Sequence, residues 1–471
     1  MFIESVIALM LLSLAVFAVP VRWKWQVAFC VVGLGVLSAL YEAVGVFSGG
    51  GRIYPEGINI VFGSQYGVTD PLSSFFLIIL SLSAVAVLIY AKGYIKPYLG
   101  RKSPAQISLH YCGLGVLYLS MLLVVTLRDG FSFLFAWEVM TLSSFVLMLF
   151  DAERREVRRA ALSYLILMHV GFLFLLAGFV TLYASGLPAS FDALALYGEQ
   201  GGNIIPLFIV FLIGFGMKAG IFPLHVWLPE AHPAAPAHIS AFMSGVMIKT
   251  GVYGVMRVVS CFDSHLFAIG LIVLCIGAVT GLWGVILAAL QNDVKKLLAY
   301  SSIENIGIIF IALGTALLGK AEGSDPIFYA GMAGALLHTL NHSFFKSLLF
   351  MGAGNIYTAT HTTSLDDLGG LGKRMPVTAI LFLVGTLAIC ALPPLSGFVS
   401  EFLIYMGLLD GIAANGPVTV IALSGLIFLA LIGGLAVLAF TKLYGVVFSG
   451  LPRSEVAERA REVSRPMLAA M

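Results

Sequence analysis

The sequence predicts an all-α polytopic membrane protein with about thirteen transmembrane helices. Of its 471 residues, 60% are hydrophobic and only 11% are charged, and the mean hydropathy is +1.01. Soluble domains carry about 25% charged residues, so this chain lacks the polar surface that a water-exposed fold requires. The 26 Lys and Arg residues nearly balance the 24 Asp and Glu residues, which leaves no basic excess for binding nucleic acid.

Runs of about 20 apolar residues mark the candidate transmembrane helices. We place thirteen of them, at residues 2–20, 26–48, 71–93, 108–127, 131–150, 160–184, 203–224, 236–260, 266–290, 294–318, 327–358, 376–409 and 416–449. The first is interpreted as a spanning helix, because no basic segment precedes it as in a signal peptide. The Gly-rich stretch 49–70 carries turn signals and predicts a short surface hairpin.

The distribution of basic residues predicts the orientation of these helices. With the N-terminus outside, 18 Lys and Arg residues fall in inner segments and 4 fall in outer segments. This bias follows the positive-inside rule. We therefore expect the inner membrane of a prokaryote, with the N-terminus outside and the C-terminal tail cytoplasmic.

Prolines interrupt the seventh and twelfth predicted helices. GFGMKAGIFPLHVWLPEAHPAAPAH (214–238) contains four prolines, and ALPPLSGFVSEF (391–402) contains Pro393 and Pro394. Broken helices in corresponding positions of two halves point to a transport site. Lys218 lies at the first break and Glu401 at the second.

Weak internal similarity predicts two inverted five-helix repeats, each with one discontinuous helix. KTGVYGVM at 249–256 is similar to TKLYGVVF at 441–448, and an odd number of helices per repeat inverts the second repeat. The predicted domains are an N-terminal three-helix segment (1–107), a first repeat (108–262), a second repeat (263–449) and residues 450–471. That last segment is a cytoplasmic tail or the start of a further helix.

Ionisable residues inside the predicted spans are the strongest functional signal. A charge at mid-membrane costs about 2.5–3.5 kcal/mol even on the lenient insertion scale, and such residues are functional by default. The candidates are Glu138, Lys218, Lys249, Glu304, His338, His342, Lys346 and Glu401, with His238 and Lys442 as possible auxiliary groups.

Simpler roles are open for some of these groups. Lys442 lies near a helix end, so its side chain can extend to the membrane interface instead. Glu138 and Lys218 could form one static ion pair. His169 is alone on its helix and is expected to be a packing residue, so its replacement should matter less than that of Glu138 or Lys218.

The array of lysines, glutamates and histidines suits proton transfer. A buried lysine with a movable carboxylate partner can load and release a proton near neutral pH, and histidine can relay protons between such groups. The five cysteines lie far apart and predict no disulfide or metal centre. His225, His232 and His238 also lack helical ligand spacing, so we expect no metal and no cofactor in this chain.

At these residues the chain resembles the antiporter-like membrane subunits of respiratory complex I, Mrp-type cation/proton antiporters and membrane-bound hydrogenases. The matching strings are FAWEVMTLSSFVL (135–147), the 214–238 segment, KKLLAYSSIENIGIIF (295–310), LLHTLNHSFFKSLLFMGAGNIY (336–357) and the 391–402 segment. HPAAPAHISAFMSGVMIKTG, ENIG at 304–307, SGFVSEF and AERAREVSRPML (457–468) are most similar to the formate hydrogenlyase and hydrogenase-4 component B-like branch.

This resemblance implies a role for each site residue. Glu138 and Lys218 match the glutamate–lysine couple of the first half-channel, and Lys249 matches the bridging lysine. His338, His342 and Lys346 match connecting and second-half residues, while Glu401 matches the terminal, outward-opening station. Glu304 departs from the complex I pattern, where a histidine-containing variant is usual. The family typically continues into a fourteenth helix, which PMLAAM (466–471) would begin.

The resemblance implies a proton-translocating, non-redox subunit of an energy-converting complex. Expected partners are other antiporter-like and small membrane subunits, peripheral hydrogenase or dehydrogenase subunits and the lipid bilayer. Two alternatives stay open at this point: a subunit of an NADH-quinone oxidoreductase (complex I), or a subunit of an Mrp-type Na⁺/H⁺ antiporter. Whether the chain counts as an enzyme, and whether it moves protons or sodium, is open as well.

Overall fold

Every apolar segment predicted from the sequence contains a helix in the structure. The structure is a computed structural model that describes residues 2–60, 63–414 and 416–471. Apart from one two-stranded hairpin, its regular elements in these ranges are helices, which confirms the all-α polytopic prediction.

The elements follow one another in a simple order. The N-terminal part contains α1 (Phe2–Leu12), α2 (Lys24–Gly49), β1 (Arg52–Ile60), β2 (Gly63–Thr69), α3 (Pro71–Tyr94), α4 (Pro104–Val124), α5 (Gly130–Met148), α6 (Arg155–Ala184) and α7 (Ala193–Glu199). The middle contains α8 (Ile204–Ala219), α9 (Leu228–Ala234), α10 (Ala237–Phe242), α11 (Ile248–Ser260), α12 (Leu266–Leu290) and α13 (Val294–Ala321). The remainder contains α14 (Asp325–Thr360), α15 (Pro376–Ile389), α16 (Ser396–Ala413), α17 (Pro417–Phe448), α18 (Glu455–Glu458) and α19 (Arg465–Ala469).

Ten helices in the described ranges are long and apolar enough to cross a membrane. Three more, Phe2–Phe17, Ile204–Ala219 and Pro376–Ile389, are apolar but shorter. The exact number of thirteen spans therefore stays a prediction. The hairpin expected within 49–70 is confirmed, because β1 and β2 pair antiparallel from Arg52 opposite Thr69 to Ile60 opposite Gly63.

The chain divides into two compact units. The first comprises Met1–Lys218 and Ala234–Phe262, and the second comprises Ala219–Pro233 and Asp263–Met471. In the first unit α4 packs against α2 and α5, α5 packs against α6, and α10 packs against α3. In the second unit α13 lies between α12 and α14, and α16 packs against both α14 and α17. The inverted relationship of the two repeats, and their bounds, stay predictions.

Two helices are buried by protein on every side. The most apolar 18-residue windows of Ala237–Ser260 and Val294–Ala321 are 100% buried, whereas that of Pro417–Phe448 is 28% buried. The first of these helices carries Lys249 and the second carries Glu304. Their ionisable groups are therefore shielded from lipid by neighbouring helices, as intramembrane charges usually are.

Glycines allow α12 and α13 to approach closely. A Cβ atom added to Gly307 would lie 2.2 Å from the backbone nitrogen of Gly281, and one added to Gly284 would lie 2.5 Å from that of Glu304. Small residues permit such backbone contact between membrane helices. This contact fixes the backbone of Glu304 inside the second unit.

Both proline-containing segments are broken, as predicted. Helix α8 ends at Ala219, where Gly220 adopts a left-handed backbone conformation with φ of 81°, the usual device for ending a helix. In the second unit α15 ends at Ile389 and α16 begins at Ser396. Lys218 therefore lies in the last turn before one break, and Glu401 lies in the second turn after the other.

The segment 450–471, predicted as a tail, packs on the second unit. The carboxylate of Glu462 accepts hydrogen bonds from the backbone of Val377 and from the hydroxyl of Thr378, the latter at 2.6 Å. The guanidinium of Arg453 donates to the carbonyl of Leu365 at 3.0 Å. These contacts join the segment to the start of α15 and to the loop that precedes it.

Candidate functional site

Lys218 is the central cation of the first unit. Its side chain is buried, and its ammonium donates hydrogen bonds to the hydroxyl of Thr141 at 2.9 Å and to that of Tyr164 at 3.2 Å. The rings of Trp137 and Tyr164 lie 5.4 Å and 5.5 Å from the same nitrogen. Hydroxyls and aromatic faces stabilise the ammonium and also tolerate the neutral amine, because a hydroxyl can donate as well as accept.

Glu138 has two basic neighbours. Its Oε2 atom lies 3.3 Å from Nε2 of His169, and it also interacts electrostatically with Lys218. The His169 side chain is 48% exposed, so the expectation that His169 is a packing residue is wrong. The other carboxylate oxygen, Oε1, is buried and has no hydrogen-bond partner among the described residues, which leaves an acceptor where a proton or water can bind.

Lys249 follows a π-helical turn. Residues Met243–Met247 form this turn between α10 and α11, and the Lys249 ammonium donates to the carbonyl of Ser244. A π turn replaces the i to i−4 hydrogen bonds of the α-helix by i to i−5 bonds. A backbone carbonyl in the turn can then accept a hydrogen bond from a side chain. The Tyr164 hydroxyl lies 3.7 Å from the sulfur of Met247, so the turn adjoins the partners of Lys218.

Lys346 has the corresponding environment in the second unit. Its side chain is fully buried, and its ammonium donates to the carbonyl of Leu298 at 2.9 Å and to the hydroxyl of Ser301. Glu304, one turn further along α13, interacts electrostatically with Lys346 and with Glu401. Each unit therefore contains a buried lysine that donates to at least one hydroxyl and lies near a carboxylate.

Glu304 and Glu401 are both buried. The Oε2 atom of Glu304 has no hydrogen-bond partner in the part of the chain that the structure describes. A buried carboxylate without a full set of donors is stable only when it is protonated or paired. The two glutamates and Lys346 therefore form one electrostatically coupled group.

His338 is held at both ring nitrogens. Nε2 lies 3.1 Å from Oδ1 of Asn305, whose amide donates to the carbonyl of Ser301, so Asn305 accepts from His338. Nδ1 lies 3.0 Å from the hydroxyl of Ser400, which also lies 2.9 Å from the carbonyl of Gly397. The hydroxyl can donate to either group. This hydrogen-bond set therefore satisfies His338 in both its neutral and its protonated form.

Three further residues predicted from the sequence, His342, His238 and Lys442, lie outside the two lysine–glutamate groups. His342 is buried next to the ring of Phe345, with centroids 5.5 Å apart. His238 is buried beside His110 in the first unit. Lys442 is partly buried and donates to the carbonyls of Ala289 and Gln291, at 3.1 Å and 2.9 Å, which stabilises the C-terminal end of α12.

Several polar partners were not predicted from the sequence. Thr141, Tyr164, Asn305 and Ser400 hold the ionisable groups, and His110 contacts His238. Hydroxyl and amide side chains are frequent in membrane helices, so residue type alone does not distinguish these positions. Only the three-dimensional contacts identify them.

Two charged clusters lie at the ends of the first unit's helices. Asp70 accepts from Arg257 at 2.6 Å and from Arg128 at 2.7 Å, and caps α3 through the backbone of Ser73. Burial by itself raises the pKa of Asp70, but the two guanidinium groups lower it well below its ordinary value.

The second cluster joins Lys102 to Glu153 at 2.8 Å and to Asp151 at 3.1 Å. Burial by itself lowers the pKa of Lys102, but these two carboxylates raise it. Both clusters connect loops to helix ends, and neither contains a residue of the lysine–glutamate groups.

Comparison with known proteins adds a family relationship. Residues 128–432, more than half of the chain, match the family described as NADH:quinone oxidoreductase/Mrp antiporter, TM. Hydrogenase-4 component B of Escherichia coli (strain K12) is 37% identical over 412 residues, which cover 85% of this chain and 60% of the E. coli protein. Formate hydrogenlyase subunit 3 of the same organism is 40% identical over 257 residues, 54% of this chain and 42% of that protein.

The fold is similar to that of a solved complex. A chain in the structure of the Mrp complex from Dietzia sp. DQ12-45-1b superposes with a TM-score of 0.80 at 22% identity, covering 99% of this chain and 85% of that chain. At this identity the likeness concerns the fold. The chain spans less than two thirds of the length of the two E. coli relatives.

Proposed function

The chain belongs to the NADH:quinone oxidoreductase/Mrp antiporter family of transmembrane proteins, and from this premise we propose that it translocates protons as a subunit of an energy-converting membrane oxidoreductase of the hydrogenase or formate hydrogenlyase type. The family resemblance inferred from the sequence is confirmed by the match over residues 128–432. One observation carries the proposal. Each unit holds a buried lysine that donates to at least one hydroxyl and lies near a carboxylate, Lys218 near Glu138 and Lys346 near Glu304.

In the proposed mechanism the first lysine is a proton-loading group. Glu138 is held by His169 and Lys218, so a change in the charge near Glu138 alters how strongly Lys218 keeps its proton. Thr141 and Tyr164 continue to satisfy the Lys218 nitrogen after its proton leaves, because a hydroxyl can donate to a neutral amine. The proton then passes to Lys249.

The second unit receives and releases the proton in the same proposal. His338 and His342 take it up, and His338 keeps its hydrogen bonds in either protonation state through the Ser400 hydroxyl. Lys346 and Glu304 pass it on, and Glu401, next to the broken helix, releases it to the outside. Breaks of this kind let water reach a site at membrane depth.

Partner subunits supply the energy in this proposal. In this proposal, electron transfer in the partner subunits changes the electrostatic potential at Glu138. The proposal assigns no cofactor, metal or redox step to this chain. Moving one charge against 100 mV costs about 2.3 kcal/mol, so the energy must come from outside the chain. We place the complex in the inner membrane of a prokaryote, with the N-terminus outside, because the basic loops follow the positive-inside rule.

Two related functions remain candidates. The family includes quinone oxidoreductases and Mrp antiporters by its description, so a complex I subunit or a Na⁺/H⁺ antiporter subunit would use the same groups. We favour the hydrogenase type because Hydrogenase-4 component B is 37% identical over 85% of the chain. The motifs around Glu304 and Glu401 point to the same branch.

Purification of the complex through a tag on this chain tests the proposal. Co-purification of a nickel–iron hydrogenase subunit supports it. Co-purification of an NADH-oxidising module, or of antiporter subunits alone, would support the alternatives instead.

The isolated complex is then reconstituted in vesicles and driven by its electron donor. Acidification is followed with a pH-sensitive dye. Electron transfer at a normal rate without any proton movement would overturn the proposal.

A further inference from the structure

The two hydroxyl groups that contact Lys218 already donate their own hydrogens to other groups. The Thr141 hydroxyl donates to the carbonyl of Trp137 at 3.0 Å. The Ser144 hydroxyl donates to the carbonyl of Thr141 at 2.8 Å and lies 2.6 Å from the hydroxyl of Tyr164. Because a hydroxyl carries one hydrogen, Tyr164 must donate to Ser144 in this arrangement.

The opposite direction of this hydrogen-bond chain is less favourable. Ser144 would donate to Tyr164, and Tyr164 would then donate to the sulfur of Met247, 3.7 Å away. A thioether sulfur is a weak acceptor, and the Ser144 bond to the Thr141 carbonyl would be lost. The hydrogens therefore run from Tyr164 to Ser144 and on to the carbonyl of Thr141.

This direction makes both hydroxyls acceptors towards Lys218. An ammonium group has three hydrogens and no lone pair, so it is matched by the acceptors at 2.9 Å and 3.2 Å. A neutral amine has a lone pair that needs a donor, and neither hydroxyl offers a hydrogen while it keeps its present bond. The hydrogen-bond set around Lys218 is therefore complementary to the charged form of the lysine.

The neutral amine gains a donor when the Tyr164 hydroxyl turns from Ser144 to Lys218. This turn is a rotation about the bond between the ring and its oxygen, so the ring itself stays in place. It removes the hydrogen that Ser144 accepts, and Ser144 is fully buried. A buried polar group that loses its partner costs free energy, so Ser144 opposes the turn.

We propose that Ser144 is a positioning residue that directs the Tyr164 hydroxyl and thereby strengthens the hold of Lys218 on its proton. Its hydrogen bonds in the described part of the chain are those to the Thr141 carbonyl and to Tyr164, so it acts on the lysine through the tyrosine. The inference deepens the proposed function and rests on it, because it names a residue that sets the pH at which the first loading group releases its proton.

Other titratable groups also lie near Lys218. Glu138 on α5 interacts with it electrostatically, and His169 on α6 lies 3.3 Å from Glu138. Lys249 on α11 is the next lysine in the proposed path. Replacing Ser144 changes none of these charged groups, so an altered pH dependence in a Ser144 variant reports the hydroxyl chain.

The test uses the native complex in vesicles, driven by its electron donor, and measures initial translocation rates over a series of pH values. The variants are Ser144→Ala and Ser144→Cys, because a thiol is close in size to a hydroxyl but accepts only weakly. Ser143→Ala is the matched control, since the neighbouring Ser143 hydroxyl donates to the carbonyl of Met140 in its own helix at 3.0 Å. Electron transfer in uncoupled vesicles is measured at the same pH values and gives the pH dependence of the redox reaction alone.

We expect the wild-type rate to fall at alkaline pH, where Lys218 loses its proton. In Ser144→Ala the Tyr164 hydroxyl is free to donate to the amine, so the alkaline half-point of the rate moves to lower pH by about one unit, the size of shift that one hydrogen bond typically produces. Ser144→Cys shifts the half-point in the same direction, and Ser143→Ala leaves it unchanged. In a Tyr164→Phe background Ser144→Ala causes no further shift, because no hydroxyl is left to redirect.

A wild-type half-point in both Ser144 variants would overturn the inference. A shift that persists in the Tyr164→Phe background would also overturn it, and so would a wild-type rate with no alkaline decline. A lower rate at every pH with an unchanged half-point would assign Ser144 to packing instead.

Lys218→Ala separates these outcomes from failure of the proposed function. If Lys218→Ala translocates like the wild type, the proposed function fails. If it is inactive while the Ser144 variants keep the wild-type half-point, only the role of Ser144 is overturned.

Discussion

The Nε2 atom of His169 lies 3.3 Å from the Oε2 atom of Glu138, so the key carboxylate of the first unit contacts a histidine directly and a lysine through space. This differs from a static Glu138–Lys218 pair, which the sequence left open. Lys218 is held by two hydroxyls and Glu138 by an imidazole. A third group, the His169 imidazole, therefore contributes to the surroundings of the Glu138 carboxylate that faces Lys218.

The contact between His169 and Glu138 predicts that His169→Gln lowers the rate of proton translocation without abolishing it. We expect translocation to fall about tenfold, the size that a coupling of about 1.4 kcal/mol between contacting residues produces. Glu138→Ala should abolish translocation. The double variant should be no worse than Glu138→Ala alone, because His169 acts through the carboxylate. Initial rates in reconstituted vesicles measure all three, and additive losses would show that His169 acts independently of Glu138.

Lys218→Ala should abolish proton translocation while leaving membrane insertion intact. The alanine removes the ammonium group that donates to both Thr141 and Tyr164. Thr141→Val, which keeps the shape and removes one hydroxyl, should lower the rate without abolishing it. Lys320→Ala is the matched control, since Lys320 is 40% exposed and forms an ion pair with the exposed Asp263. Normal proton movement in Lys218→Ala would contradict the role assigned to this lysine.

The sequence was sufficient to predict the helices and the ionisable side chains, because both produce strong signals. A lysine in a run of 20 apolar residues, such as Lys218, is conspicuous, and so is a double proline such as Pro393 and Pro394. The partners of these groups were not predictable. Thr141 and Ser400 are ordinary helix residues until the folded chain brings a lysine or a histidine within hydrogen-bond distance.

His169 illustrates a second limit of sequence reasoning. A lone histidine on a helix has no spacing relation to a glutamate 31 residues earlier, so packing was the simpler interpretation. The contact arises because α5 packs against α6 and turns both side chains to the same side. Helix–helix packing of this kind depends on interhelical distance and rotation, which the residue pattern alone does not specify.

The Asp70 cluster predicts a stability effect with a defined pH dependence. Asp70→Asn removes the carboxylate that Arg257 and Arg128 share, and breaking such a largely buried ion pair costs about 3 kcal/mol. Because the folded pKa of Asp70 is lowered, the carboxylate contributes stability above its ordinary pKa of about 3.9. This contribution is lost only as the pH falls through the still lower folded value.

The Tm of thermal unfolding in detergent, measured at several pH values, tests this prediction. The wild type should have a higher Tm than Asp70→Asn from pH 7 down to about pH 4, close to the ordinary aspartate pKa, and the difference should narrow only in more acidic solution. Asp263→Asn is the control, because Asp263 is 90% exposed and exposed ion pairs contribute little. A Tm difference that disappears already at pH 6 would assign the stabilisation to a group other than Asp70.

The break before Glu401 predicts the outcome of Gly397→Ala. A Cβ atom at Gly397 would lie 2.0 Å from the carbonyl oxygen of Ala388, which is backbone and cannot rotate away. The start of α16 must therefore move away from the end of α15, carrying Ser400 and Glu401 with it. We expect a lower Tm and a large loss of translocation, because Ser400 then separates from His338.

Gly434→Ala is the matched control, since nothing lies within 4 Å of its added Cβ. Replacing Gly by Ala at an open helix position is neutral or stabilises the folded state by about 0.4–1 kcal/mol. Equal stability and equal rates in the two glycine variants would mean that the close contact between Gly397 and Ala388 does not position Glu401.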